Sequence, residues 1–400
     1  MALVKLLAIF ILIIVLLRFK IHLSYSMIIS SVILGLMFRL DFFSIGRIFV
    51  TTSYESTTIR TAGILTLIMV LENIMRNRNM LSKIVISLKS LIGDYRVIMP
   101  ILPAFMGLLP SAGGALFSAP LVEDTCEDDS ISPERKSAIN YWYRHIWECV
   151  LPLYPAVIIT TEVLGVHLID FIKVLYSFSI VAVVTGIPFI TLGLKKPVKT
   201  SKSKNFKMTN HLIQLCIGIS PIVSILLLFF VFDIDLVYGL FIVIVALWLV
   251  YKYSWEQIKS SLKESVSLKI ILLVLGVMLF KNMLEVTNIV TELPFVFERL
   301  GIPPVWVVIL LPFLVGFLTG MSQAYAAITF PILVGLNGDI NLRLMALGFI
   351  SGYGGIMISP MHFCLVLTVD YFKARLEKVI AMVLIPVAIM IGWGYLLYVL

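Results

Sequence analysis

Charge is scarce in this sequence. Asp, Glu, Lys and Arg make up 14% of the 400 residues, against about 25% in a soluble protein of ordinary composition. That shortage excludes a water-soluble domain of the usual kind. Cysteine is scarce too. Cys126, Cys149, Cys216 and Cys364 form no CxxC pair and no metal-ligand spacing. The spacing therefore implies neither a disulfide nor a metal site. No HExxH, P-loop or nucleophile elbow occurs. Their lack weighs against an enzyme and against ATP-driven transport within this chain. Acids are fewer than bases, 23 against 31, for a net charge of +8. A nucleic-acid partner is one reading of that excess. Loops kept on the cytoplasmic side of a membrane are the simpler one.

Hydrophobic residues are what the sequence does have, at 60%. Apolar runs near the crossing length of about 20 residues recur from end to end. The first, Ala2–Leu17, is followed by Arg18-Phe19-Lys20 and by no small-residue cleavage site, so it reads as a retained span. The expected fold is an all-α polytopic membrane protein whose partner is the lipid bilayer. Ten spans are predicted near 2–18, 24–39, 60–76, 137–163, 168–194, 209–232, 235–251, 268–290, 341–367 and 378–400. Two more apolar segments, 96–123 and 304–335, are interrupted. Lys83–Leu91 and Trp255–Ser267 read as short amphipathic surface helices.

Basic residues set the orientation. Six lysines between Lys195 and Lys207 crowd one loop without an acid, and further basic residues follow spans one, three, seven and nine. With these loops in the cytoplasm of a cell (inner) membrane protein, both termini lie outside. The expected organisation is a first repeat over 1–194, a basic cytoplasmic linker over 195–208 and a second repeat over 209–400. Five crossings precede the linker, so the second half starts from the opposite side, as an inverted repeat requires.

Internal matches support the repeat. A shift of 211 aligns Ser111 with Ser322, Ala115 with Ala326, Ser118 with Thr329 and Pro120 with Pro331. A shift of 209 aligns Glu72-Asn73 with Lys281-Asn282, and one of 208 aligns Pro152 with Pro360. The stretch LPSAGGALFSAP, 109–120, is too rich in Gly, Pro and Ser for a plain membrane helix. Irregular backbone at membrane depth survives only where protein buries it or a cavity hydrates it. Two re-entrant hairpins are expected, one from each face, with tips meeting near the midplane. Kinked helices packed through small residues are the alternative.

Hairpin tips offer helix N-terminal N–H groups to an anion and exposed carbonyls to Na⁺. The candidate ligands there are Ser111, Gly113, Gly114 and Ser118 in the first half and Ser322, Gln323, Tyr325 and Thr329 in the second. The Pro-interrupted crossings add Arg144, His145 and Glu148, then Gly354, Gly355, Ser359 and His362. Ionisable residues inside a membrane are expensive and so are functional candidates. Each also has a structural reading. Arg144 is near enough to the cytoplasmic end to snorkel, the histidines can be satisfied interior groups, and Glu72 and Lys281 can pair across the repeat. Glu72 and Lys281 are otherwise coupling candidates, and Glu148, His362 or Glu72 can carry a proton.

The paired small-residue hairpins, Pro-broken helices and basic central loop resemble the ion transporter superfamily. Within it, GLLPSAGGALFSAPLVE followed by YWYRHIWECVLPLYP looks most like domain-of-unknown-function family 401 (DUF401). The resemblance spans the whole chain. It implies a scaffold with a mobile transport domain, a homodimer, elevator-like alternating access, and secondary transport of anions coupled to Na⁺ or H⁺ without another cofactor. It also implies that Ser111 and Ser322 occupy tip positions that touch substrate and ions. The dicarboxylate members carry Ser-Asn-Thr at their tips, whereas Ser-Ala-Gly and Ser-Gln-Ala stand here, a departure that leaves the substrate open. The expected function is secondary transport of a small organic or inorganic anion, with a lipid or lipid-linked head-group flippase on the same scaffold as the alternative.

Overall fold

The computed structural model describes residues 2–110, 114–125, 131–192, 194, 208–289, 299, 301, 303–336 and 340–400. Long apolar runs leave the backbone no water to bond, and a helix satisfies its peptide groups within its own segment. Helices are accordingly the only regular elements among the described residues. The first half runs α1 (Ala2–Arg18), α2 (Leu23–Met37), α3 (Phe42–Tyr54), α4 (Ser56–Asn77), α5 (Met80–Leu91), α6 (Tyr95–Met106), α7 (Ala115–Thr125), α8 (Pro133–His145), α9 (Pro155–Leu164) and α10 (Leu168–Gly186). The second runs α11 (Met208–Phe230), α12 (Leu236–Val250), α13 (Trp255–Ser265), α14 (Leu268–Val286), α15 (Pro304–Thr319), α16 (Ser322–Leu333), α17 (Leu342–Met357), α18 (Phe363–Phe372) and α19 (Leu376–Val399).

Local chemistry explains the boundaries. Ser132 caps α8 by accepting from Arg135 N, with Pro133 in the first turn. Ser254 and Gln257 close a capping box on α13. Asn341 accepts from two N–H groups of α17. The chain is an all-α polytopic membrane protein. Four helices are long and apolar enough to cross a bilayer: Ser56–Asn77, Leu168–Thr191, Met208–Phe230 and Leu376–Val399. The pair α13 and α14, bent by 47°, raises that to five if it is one span. The ten predicted spans are more numerous because several fall on shorter helices. Two of them are broken: 137–163 becomes α8 and α9 around Pro152, and 341–367 becomes α17 and α18 around Pro360. The helix α3 was not expected. It is too short to cross, and Phe42, Phe43 and Tyr54 face outward, the pattern of a helix lying along the membrane interface.

Packing sorts the helices into two sets. In one, α2 packs on α14, α4 on α12, α13 and α14, and α5 on α11. In the other, α6 packs on α7 and α8, α15 on α16 and α17, α10 on α19, α9 on α16 and α18 on α7. Many pairings recur when the halves are exchanged: α1/α2 with α11/α12, α2/α14 with α12/α4, and α6/α8 with α15/α17.

The recurrence extends to single hydrogen bonds. Asn73 on α4 donates to Glu264 (3.0 Å) and accepts from Ser261 (2.9 Å), both on α13. Asn282 on α14 donates to Glu55 (3.0 Å), just past α3, and to Thr52 (2.9 Å) on it. All three residues of one cluster map onto the other by the same shift of 209. Under a shift of 211, the bond from Ser118 to Gly114 O maps onto that from Thr329 to Tyr325 O.

Exchange of the halves is not complete. The pair α9/α16 packs on α14, whereas its counterpart α18/α7 packs on α8. Near the start of α4, Arg60 bonds Glu162 on α9 and Asp235 at the cap of α12, the latter at 2.6 Å. The bond to Glu162 ties the two helix sets on that side.

Candidate functional site

Both hairpins end in carbonyls with no helical partner, and the broken crossings supply the donors. At the end of α6, Trp147 donates to Ala104 O (2.9 Å), Arg144 to Met106 O (3.4 Å) and Tyr154 to Gly107 O (2.5 Å). At the end of α15, Ser359 donates to Phe317 O (2.5 Å) and His362 Nδ1 to Gly320 O (2.8 Å). The breaks also cross-link each other. Tyr141 on α8 donates to Met357 O (3.1 Å), and Tyr353 on α17 donates to His145 O (3.2 Å).

A cavity of about 370 Å³ opens where these parts meet. Leu65, Ile68, Met69 and Glu72 of α4, with Ile270 and Leu273 of α14, form its wall on one helix set. On the other set, Arg144, His145, Glu148 and Tyr154 of the first break face His362 and Cys364 of the second. Pro110 from the first hairpin and Gly320–Gln323 from the second complete it. The N-terminus of α16 has no side-chain cap, and the first two residues of that helix, Ser322 and Gln323, line the cavity. Unpaired helix N–H groups attract anions, and Arg144 adds positive charge to the same wall.

The two histidines meet at the centre. His145 Nδ1 lies 2.6 Å from Tyr141 O, and its Nε2 lies 3.2 Å from His362 Nε2. Glu148 Oε1 is 3.9 Å from His145 Nε2, and Glu148 Oε2 is buried with no hydrogen-bond partner. The Cys364 thiol faces the His145 ring.

Of the predicted ligands, Arg144, His145, Glu148, Ser322, Gln323 and His362 therefore come together, with Glu72 on the opposite wall. Others take packing positions. Ser118 and Thr329 bond back within their own helices. Tyr325 is buried against Gly352 and Phe349. Gly354 backs onto Val387 and Ile391 of α19, and Gly355 onto Phe313 of α15. Ser359 serves the carbonyl of Phe317. Gly114 heads α7, next to the tip. Ser111 and Gly113 lie outside the described residues, as do residues 195–207 of the linker over 195–208.

Of the two readings of Glu72 and Lys281, the direct ion pair is not the arrangement found among the described residues. Lys281 pairs with Glu285 (3.8 Å) one turn along α14. Glu72 stands beside Asn73, which bonds α13, while Lys281 stands beside Asn282, which bonds Thr52 of α3 and the adjoining Glu55. The two thus stand at separate clusters. Tyr154, Met321 and Cys364 also line the cavity, outside the residues that the sequence singles out. His362-x-Cys364 directly after the Pro360 break was a usable signal.

The protein family described as "Protein of unknown function (DUF401)" matches residues 2–400. A search of curated protein sequences returns no match. Among solved structures, the chain is similar to the YdaH transporter of Alcanivorax borkumensis, with a TM-score of 0.61 and 12% identity over 89% of this chain and 86% of that one. At that identity the likeness establishes a shared fold.

Proposed function

We propose a transport function for this chain, which belongs to the DUF401 family. It is a secondary transporter of a small organic or inorganic anion, coupled to Na⁺ or H⁺. The observation that carries the reading is the cavity between the two helix sets, where the uncapped N-terminus of α16 and Arg144 face one space. Helix dipole and guanidinium together suit an anionic group. In this reading Glu72, which lines the cavity from the other helix set, carries the coupled cation. The similar fold of a transporter adds support.

The packing supports alternating access. Repeat-related pairs α9/α16 and α18/α7 have different neighbours, as in one end state of a two-state machine. Exchanging the conformations of the two halves generates the other state. In this reading α6–α10 and α15–α19 move against the remaining helices in an elevator-like step.

The test is the melting temperature of the purified chain against a panel of anions, with and without Na⁺ and at two pH values. A ligand at about a hundredfold its dissociation constant adds about 2.7 kcal/mol of stability. One soluble anion should shift the protein. Arg144→Gln should weaken that shift and Ser322→Trp should abolish it while the fold is kept. A shift unchanged in both variants refutes the site. A response to lipid head groups alone moves the function to a flippase.

A further inference from the structure

The two histidines are held in a way that constrains their protons. Both Nδ1 atoms face backbone carbonyls, His145 to Tyr141 O at 2.6 Å and His362 to Gly320 O at 2.8 Å. A carbonyl oxygen only accepts, so each Nδ1 carries the hydrogen. In the neutral rings both Nε2 atoms are then bare acceptors, and they face each other at 3.2 Å. Two lone pairs at that distance repel unless an electrophile lies between them. The Cys364 thiol can answer only one of the two.

We infer that His145, His362 and Cys364 form a binding site for a borderline-soft divalent metal ion of the Zn²⁺ class, with Glu148 in reach as a fourth ligand. Their ligand atoms all lie within 4.8 Å of one another. With Zn–N bonds of about 2.0–2.1 Å, a tetrahedral site spaces two nitrogens about 3.3 Å apart, close to the 3.2 Å seen here. Imidazole and thiolate suit Zn²⁺ rather than Na⁺ or Mg²⁺. An Nδ1–H bonded to a backbone carbonyl is the usual support of a ligating histidine. The site is deep, with His145 at 2% and His362 at 8% exposure. Binding replaces the thiol proton of Cys364, which leaves to water. The ion joins His145 of the first break to His362 and Cys364 of the second, so it clamps the two halves where they cross. The geometry is that of the cavity described above, but the inference does not need the transport reading.

The full-length protein in detergent, stripped with EDTA and freed of chelator, is titrated with Co²⁺ and then challenged with Zn²⁺. One Co²⁺ per chain should bind with tetrahedral visible bands and a thiolate charge-transfer band in the near ultraviolet, and Zn²⁺ should displace it. Cys364→Ser keeps the shape of the side chain. It should lose the charge-transfer band and at least about 100-fold in affinity, because loss of even a supporting partner costs 10–100-fold. No saturable uptake by the wild-type protein overturns the inference; that is the result if the histidines share only a proton. Equal spectra and affinity in Cys364→Ser overturn it as well. Anion-dependent melting of the stripped wild-type protein reads the transport proposal separately.

Discussion

Gly320 and Gly165 allow the second hairpin to be tested with one methyl group. Both end helices in the left-handed region, α15 at φ 63° and α9 at φ 67°. An L-residue there costs roughly 1–2 kcal/mol. A Cβ on Gly165 meets nothing within 4 Å, so Gly165→Ala should lose about that amount and no more. A Cβ on Gly320 would lie 2.5 Å from Met361 C, 2.6 Å from His362 N and 2.7 Å from Met361 O. Those are backbone atoms of the second break and cannot turn aside. Overpacking of this kind adds about 1–3 kcal/mol. Gly320→Ala should therefore cost roughly 2–5 kcal/mol in all. It should also move His362, whose imidazole is anchored on Gly320 O. Equilibrium unfolding in mixed micelles, followed by circular dichroism, measures both variants against the parent. Equal losses would refute the close approach of the hairpin to residues 361–362.

The repeat-related clusters make a second prediction. Asn73→Ala removes a charge-assisted bond to Glu264 and leaves the buried Ser261 hydroxyl without its partner, and Asn282→Ala does the same to Glu55 and Thr52. Each should cost about 1–3 kcal/mol, set by the buried hydroxyl left unpaired, and the double variant should be additive because the clusters share no residue; strong coupling in the double-mutant cycle would contradict two separate clusters. A third concerns pH. Hydrogen bonds from Asn73, then from Ser260, hold the Glu264 carboxyl on the surface helix α13 below its usual range. That stabilisation is present above the unfolded-state value, about 4.3, and is lost as pH falls through the lower folded-state value. The acid-side loss of stability should be smaller in Asn73→Ala than in the parent, and identical pH profiles would refute the assignment.

The membrane class and the position of most helices were legible in the sequence, because long apolar runs have one stable backbone solution in lipid. Pro152 and Pro360 mark the broken crossings for the same local reason: proline lacks the N–H that the carbonyl of the preceding turn needs. The numerical match of Asn73 with Asn282 was legible too, and each of the two sits in a hydrogen-bonded cluster of matching composition, Asn with Glu and a hydroxyl residue. Tertiary structure decided which of the candidate ligands face the cavity. Ser118, Thr329, Tyr325, Gly354, Gly355 and Ser359 have the small or hydroxyl character of binding residues, but helix–helix packing and orphan carbonyls claim them first. Nothing local in the sequence places His145 within 3.2 Å of His362, 217 positions away. That meeting exists because each broken crossing ends in the buried interior of the helix bundle, where its last carbonyls are bonded by side chains of the other half.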